Sequence, residues 1–302
     1  MHASLALPVH ALVVPAVMSA EDVVARVEDL LSLPDAAIRL NAVLTDPDTS
    51  ANDIADIVSL DPALAARVLR AVNSAYFGLR GRVDTITKAL TMIGTSELHS
   101  LVLATSAALA FRNISSKLID MESFWQHSVR AALAARGFAE AGSLRRHRER
   151  VFLSALMHDV GQLVLYHQLP EVSTRVLEAV KTGRAQDEIE HELLGFTHAE
   201  VGALLLERWN LPASLTMPVR FHHRYDEATD FAREAALVHI GSRVSDMMEQ
   251  ERSDNPPYLD VAPDVWTQSG CSPDELEEVI IDVDMHWLQV IEIVAPGSIM
   301  IY

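Results

Sequence analysis

Apolar residues recur along this chain at the three- and four-residue spacing of α-helices. Leu64, Val68 and Val72, for example, share one helical face that begins just after Asp61-Pro62, a typical helix start. No segment shows the strict alternation of a half-buried strand. Capping boxes, in which a hydroxyl residue precedes an acidic residue by three positions, occur at Ser19, Ser50 and Thr197. The pattern therefore predicts an all-α protein, a multi-helix bundle.

The helix signals divide the chain into four parts. We expect an irregular leader over 1–20, an N-terminal helical half over 21–115, a second helical half over 116–250, and a loop with a C-terminal helix over 251–302. We infer the boundary between the two halves from the polar segment 113–120. Residues 251–270 are rich in Pro, Asp and Ser and predict a loop, and Ser272-Pro273 predicts the start of an acidic helix to about Val294.

Two local signals within the first half predict a helix start and a helix end. Asp84 is the predicted N-cap of a helix that Gly94 ends. The segment 73–78 predicts a helix terminus closed by Gly78, at which Tyr76 and Phe77 fill the core. The alternative is that this segment is an edge that contacts a partner.

The stretch Val151–His167 is the most informative part of the chain. It contains no proline and is rich in Leu, Ala and Met, so we interpret it as one buried helix. Its middle carries the adjacent pair His158-Asp159. Burying an ionised carboxylate without a partner costs on the order of several kcal/mol, and a metal ion is the compact positive partner. The alternative is a core histidine bonded to a carbonyl, beside an Asp at the helix surface.

Composition and charge restrict the function. Apolar residues make up 49% of the 302 positions and aromatic residues 6%, which favours helices. The formal net charge of −18 would repel nucleic acid and an anionic membrane surface. We interpret the basic run 145–150 as a solvated connection. The lone Cys271 excludes an internal disulfide and fits a reducing cytoplasm.

The N-terminal residues contain an apolar stretch, Leu5 to Met18, that Pro8 and Pro15 interrupt. It has no basic segment before it and is shorter than the roughly 20 residues that a membrane span needs. No other stretch is long and apolar enough to span. We therefore expect a soluble, cytoplasmic protein.

Imidazole and carboxylate side chains fall at marked places in the second half. The candidate metal ligands are His127, His158, Asp159, His198, His222, His223 and Asp246. A helical bundle can aim side chains of separate helices inward at one site. Such ligands without a thiolate suit Fe, Mn, Mg or Zn. We expect His127, His158, Asp159 and Asp246 to hold one divalent ion, and the other three histidines to hold a second.

The order of His127, His158-Asp159 and Asp246 resembles the HD superfamily of metal-dependent phosphohydrolases. The wider sequence, about residues 21–250, is similar to its HDOD (HD-related output) branch. The motifs that carry this resemblance are Ser32-Leu33-Pro34, Asp61-Pro62-Ala63-Leu64, Val72-Asn73-Ser74-Ala75-Tyr76-Phe77-Gly78, Ala89-Leu90, Ile93-Gly94, Met157-His158-Asp159-Val160-Gly161, Gly195-Phe196-Thr197-His198-Ala199-Glu200-Val201-Gly202, Trp209-Asn210-Leu211-Pro212 and His222-His223. The resemblance implies an N-terminal helical subdomain packed on an HD-like helical subdomain, and a regulatory role in bacterial signalling.

The ligand set also resembles the HD-GYP branch, whose members are cyclic-di-GMP phosphodiesterases. His198, His222 and His223 match the additional ligands of that branch. Two departures stand against its activity. Gln162 occupies the position at which that branch has a Lys that helps with phosphate, and the residues after His223 lack its Gly-Tyr-Pro segment.

The sequence therefore favours an output module that acts through signalling proteins, with a nucleotide as a candidate ligand and without catalysis. The alternative is a metal-dependent phosphohydrolase or phosphodiesterase that acts on a nucleotide or cyclic dinucleotide. Asp159 would then be the bridging ligand or base. Such an enzyme would have little beyond Arg220 and Arg224 to neutralise a phosphodiester.

Overall fold

The computed structural model describes residues 18–27, 30–43, 49–114, 117–250 and 259–296, and every regular element in them is a helix. The α-helices are α1 Ala20–Ala25, α2 Asp35–Val43, α3 Ala51–Ser59, α4 Pro62–Val72, α5 Ile86–Ile93, α6 Thr95–Ala110, α7 Met121–Ala141, α8 Arg148–Leu156, α9 Val160–Gln168, α10 Pro170–Val180, α11 Gln186–Leu194, α12 His198–Arg208, α13 Ala213–Phe221, α14 Ala232–Gln250, α15 Pro263–Ser269 and α16 Leu276–Val294. Short 3-10 helices lie at Ala75–Phe77, Phe111–Asn113, Arg145–His147, Tyr225–Phe231 and Pro273–Glu275. The predicted all-α bundle is confirmed.

Local capping chemistry determines where several helices begin. Ser19, Ser50 and Thr197 each form the predicted capping box, with the side chains of both partners bonded to backbone N–H groups. Asp61 likewise accepts hydrogen bonds from two backbone N–H groups of α4. The prediction that Asp84 caps α5 is wrong. The cap is the next residue, Thr85, whose hydroxyl accepts a hydrogen bond from the Lys88 backbone N–H at 3.2 Å.

The stretch Val151–His167 is two helices, so the prediction of one continuous helix is wrong. α8 ends at Leu156 and α9 begins at Val160, with His158-Asp159 in the connection. Met157 and Asp159 have φ near −105° and ψ near 5°, outside the helical range. Both helices are buried on most sides, so apolar residues continue across the break between them. The hydrophobic periodicity of the sequence therefore could not reveal the break.

Two further helices were not predicted. α15 lies in the segment 251–270, where we expected a loop, and its Trp266 ring packs at 5.4 Å from the Phe138 ring of α7. α11 precedes the capping box at Thr197. Both are short polar helices whose buried positions are few, so their apolar signal is weak. Residues 1–17 and 251–258 of the predicted leader and loop lie outside the described residues.

α7 is the central helix of the bundle. It packs against α8, α14 and α16. Its buried face is rich in alanine, which allows neighbouring helices to approach closely; a Cβ at Gly241 of α14 would lie 2.4 Å from the carbonyl oxygen of Ala131. α16 is held there by the Arg130 guanidinium, which lies 4.3 Å from the centroid of the Trp287 ring. The C-terminal helix is thus part of the bundle. Among the described residues, every helix is too short or too polar to span a bilayer.

The contact between α9 and α12 depends on one glycine. A Cβ at Gly161 would lie 1.9 Å from the carbonyl oxygen of His198 and 2.6 Å from the backbone nitrogen of Gly202. Both neighbours are backbone atoms within a helix, so neither can move without displacing α12. Since Gly161 and His198 belong to the same contact, this glycine also determines how closely Asp159 and His198 approach.

Replacing this glycine tests that contact. We expect Gly161→Ala to lower the free energy of unfolding by about 3 kcal/mol, because the added methyl overlaps backbone atoms. Gly137→Ala is the control, since its Cβ would meet only Val279 methyl groups, the nearest at 3.1 Å. The control should change stability by no more than about 1 kcal/mol. Urea unfolding of the two variants measures this, and equal midpoints would contradict the steric argument.

Candidate metal centre

The Asp159 carboxylate lies at the centre of a cluster of histidines. Its Oδ2 faces His158 Nε2 at 3.3 Å and His127 Nε2 at 3.8 Å. Its Oδ1 faces His198 Nε2 at 3.3 Å and His222 Nε2 at 3.9 Å. The two oxygens of one carboxylate therefore point at different histidines, so Asp159 could contribute one oxygen to each of two groups of ligands.

Hydrogen bonds fix which ring nitrogen faces the centre. Nδ1 of His158 donates to the carbonyl of Ala155, and Nδ1 of His222 donates to that of Val219, each at 2.7 Å. With the proton on Nδ1, the Nε2 atom presents a lone pair. The Nε2 atoms of His127, His158 and His222 are buried and have no hydrogen-bond partner. Lone pairs that face a carboxylate repel it unless a cation lies between them.

Ligand atoms gather in two groups of three. One group is His127, His158 and Asp159, and the other is His198, His222 and His223; within each, the ligand atoms lie within 4.8 Å of one another. His223 Nε2 also lies 3.0 Å from His198 Nε2. The buried, unpartnered nitrogens and the single carboxylate fit one or two divalent ions. Six of the seven predicted ligands are thus brought together.

Asp246, the seventh predicted ligand, lies at the edge of the centre. Its Oδ1 is 3.6 Å from His127 Nδ1, and its Oδ2 accepts a hydrogen bond from Arg243 at 3.0 Å. Burial raises the pKa of Asp246 against the opposing effect of His127 and Arg243. In this geometry Asp246 faces His127 across a gap too long for a hydrogen bond, and it would need to turn away from Arg243 to bind an ion.

The charges of the centre depend strongly on one another. Burial favours the neutral acid, but the imidazoles of His158 and His198 outweigh it and hold the pKa of Asp159 well below its usual range. Burial likewise opposes protonation of His198, yet Glu190 and Asp159 raise its pKa to about 10. Burial and the neighbouring imidazoles lower the pKa of His222. Without an ion, the cluster therefore uses protons to balance its carboxylates.

Three supporting residues were not predicted. Glu190 of α11 is buried and accepts hydrogen bonds from both His198 Nδ1, at 2.6 Å, and the His198 backbone N–H, at 2.7 Å. Glu249 lies 3.3 Å from His127 Nδ1, and His239 Nδ1 bonds the His222 carbonyl at 2.9 Å. Their positions in the sequence gave no ligand signal. The burial of Glu190 could not be seen in the sequence, and α11, the helix that carries it, was not predicted.

Three arginines on or beside the helices that carry the candidate ligands are paired with carboxylates. Arg220 contacts Glu207 at 2.9 Å, and Arg224 contacts Glu227 at 3.3 Å. Arg243 is bonded to Asp246 as described above. Gln162, at the position of the phosphodiesterase lysine, accepts a hydrogen bond from the Tyr166 hydroxyl at 3.0 Å. Arg220, Arg224 and Arg243 are therefore each already engaged by a carboxylate, and Gln162 is neutral.

Comparison with known sequences places this geometry in a family. The HDOD domain profile matches residues 30–225 of this chain. An uncharacterized protein from Treponema pallidum (strain Nichols) is 28% identical over 206 residues, which are 68% of this chain and 40% of that protein. The match thus spans less than half the length of this relative.

Solved structures share the fold. A provisionally assigned phosphohydrolase from Shewanella amazonensis SB2B superposes with a TM-score of 0.71 at 25% identity, over 90% of this chain and 98% of the other. A provisionally assigned signal transduction protein from Marinobacter aquaeolei VT8 has a TM-score of 0.71 at 22% identity, over 90% and 60% of the two chains. One helical architecture therefore occurs in proteins assigned to either kind of role.

The Glu190 contact provides a test of the centre that leaves its ligands in place. We expect Glu190→Gln to weaken binding of Mn²⁺ or Zn²⁺ by about 10- to 100-fold, because His198 loses the acceptor that orients it and raises its basicity. Competition with a chromophoric chelator measures this. Glu192→Gln on the same helix, where Glu192 pairs with Arg184 on the surface, is the control. Equal metal affinity in the two variants would remove Glu190 from the centre.

Proposed function

This chain belongs to the HDOD domain family, and from that premise we propose that it is an output module of bacterial signalling that holds metal and acts through contacts with other proteins. The observation that carries the proposal is a mismatch within one site. The clustered imidazole and carboxylate groups suit a metal ion, whereas Arg220 and Arg224, which a phosphate would need, are paired with glutamates. Such a site can hold an ion without processing a substrate.

The metal would have a structural task. His127 comes from α7, His158 and Asp159 from the connection between α8 and α9, and His198 from the start of α12. An ion bound here supplies the positive charge that the buried carboxylate and lone pairs require. The ligands would then hold these segments in one arrangement. A partner that recognises the arrangement would respond to whether the ion is bound.

The electrostatics of the site argue against phosphodiester cleavage. A phosphoryl group needs positioned cationic or amide donors as charge develops on its oxygens. Gln162 is neutral and is tied to Tyr166, while Arg220 and Arg224 are neutralised by glutamates. Metal alone can activate water, but the described residues offer little to hold the rest of the transition state.

A metal-dependent phosphohydrolase is the second candidate. It is favoured by the Asp159 carboxylate, whose oxygens face separate groups of histidines as a bridging ligand would. Two ions placed there would lower the pKa of a bound water and bind phosphoryl oxygens. A nucleotide or cyclic dinucleotide would be the substrate class, and Asp159 would be the bridging ligand or base.

The proposed setting is the bacterial cytoplasm, with signalling proteins as partners. The charge of −18 disfavours nucleic acid and anionic membranes as partners, since both would be repelled at low salt. The division into halves near residue 115 stays a prediction. It would matter if the N-terminal half presented the partner surface while the second half held the ion.

Metal content tests the first part of the proposal. Protein purified without chelator or affinity metal should contain at least one Fe, Mn or Zn per chain. His158→Ala should lower this content severalfold, since it removes a ligand and leaves Asp159 without one of its two nearest imidazoles. His147→Ala, an exposed histidine outside the cluster, should retain it. Unchanged stoichiometry in His158→Ala, by elemental mass spectrometry, would show the ligand assignment to be wrong.

Turnover decides between the two candidates. We expect Mn- or Fe-loaded protein to release no product from cyclic di-GMP or from bis(p-nitrophenyl) phosphate above the rate of free metal. The reason is the paired state of Arg220 and Arg224. Turnover that Asp159→Ala abolishes, but that His147→Ala keeps, would replace the output-module proposal with the hydrolase.

A further inference from the structure

Two adjoining cavities lie beside the C-terminal end of α16, lined by residues other than the metal ligands. The first, of about 480 Å³, lies between α4 and α16. The second, of about 520 Å³, lies among α6, α7 and the end of α16. Arg67, Arg70 and Pro296 line both, so the cavities share one wall. Each alone falls within the size range of small-molecule sites, about 300 to 1,000 Å³.

The charge at this wall is opposite to that of the chain as a whole. Arg67, Arg70 and Arg112 line the second cavity, and no described residue of its lining is acidic. None of the three forms an ion pair with a described carboxylate. By contrast, Arg145 of the basic run 145–150 contacts Glu140 at 2.7 Å. Asp61 offsets part of the charge of Arg67 without forming an ion pair with it. Three guanidinium groups that form no ion pair, in a chain of charge −18, make a local positive site.

Polar atoms around the first cavity also lack partners. Nε of Arg67, Oγ of Ser74 and Oε1 of Gln289 are buried and form no hydrogen bond. All three residues line that cavity. A buried donor of a charged group that has no acceptor destabilises the protein, and a ligand with a matching acceptor would relieve this cost. The set includes a charged donor, a hydroxyl and an amide oxygen, so a matching ligand carries acceptors and at least one donor.

The end of α16 offsets only part of this charge. A helix C-terminus carries about half of a negative elementary charge, and it faces three full positive charges. Glu292 lines the first cavity but makes no ion pair with Arg67 or Arg70. Water can solvate the exposed Arg70 and Arg112, but it does not satisfy the buried Nε of Arg67. The balance favours an anion.

We propose that the two cavities form one binding site for a phosphate-bearing small molecule of nucleotide size. The planar guanidinium matches phosphate in a bidentate geometry, and several such groups favour a multiply charged phosphate over a single carboxylate. The net charge of the chain repels long polyanions, whereas a small anion that enters the cavity is within the roughly 8 Å over which the arginines act at physiological salt. This site does not depend on the proposed function of the metal centre.

Calorimetric titration of the full chain with ATP tests the site. Metal is first removed by chelation and dialysis, so that the histidine cluster cannot bind the phosphates. ATP should bind, and adenosine and citrate should bind at least tenfold more weakly. Arg112→Gln and Arg67→Gln should each weaken ATP at least tenfold, the equivalent of one charge-assisted hydrogen bond. Arg39→Gln, an exposed change of the same charge on α2, should leave the affinity unchanged.

Three outcomes would overturn the proposal. They are absence of ATP binding at millimolar concentration, adenosine or citrate binding as tightly as ATP, and equal weakening by Arg39→Gln and Arg112→Gln. The last would mean that overall charge, and not the cavity, holds the ligand. Circular dichroism confirms that each variant is folded. Arg112 is exposed, so its variant remains informative if Arg67→Gln unfolds.

Discussion

The burial of one carboxylate, that of Asp159, is the constraint on which the centre of this bundle depends. Its two oxygens are surrounded by imidazole nitrogens, several of which have their protons held on the far side of the ring. This arrangement is stable only when the imidazoles are protonated or a metal ion lies between them and the carboxylate. Since each imidazole comes from a different segment, the charge that satisfies Asp159 also ties those segments together.

The backbone is adapted to that constraint. A continuous helix through 151–167 would place His158 and Asp159 one after the other around a helical surface. The break after Leu156 instead gives both residues non-helical connections and lets the carbonyl of Ala155 accept the His158 proton. Gly161 then allows α12 to approach until His198 reaches the same carboxylate. The small residue and the break serve one purpose, which is to bring backbones close enough for short side chains to meet.

The distribution of positive charge separates this molecule into two regions. Around the histidine cluster, Arg220, Arg224 and Arg243 are paired with acids, so the carboxylates and the protonated imidazoles determine the local field. Beside the end of α16, Arg67, Arg70 and Arg112 line a cavity in which no described residue is acidic. A chain of net charge −18 can therefore present a cation site and an anion site on one bundle.

The sequence by itself determined the helical class, most helix starts and the identity of the clustered histidines. These features are local: a capping box satisfies N–H groups within one turn, and helical periodicity lies within one segment. Only the tertiary structure decided the break at 157–159, the role of Glu190, the pairing of Asp246 with Arg243, and the convergence of arginines on α16. Each of these depends on residues far apart in the chain, and no local signal encodes which helices will meet. Sequence could name side chains that cluster, but packing determined which nitrogen of each histidine faces the carboxylate.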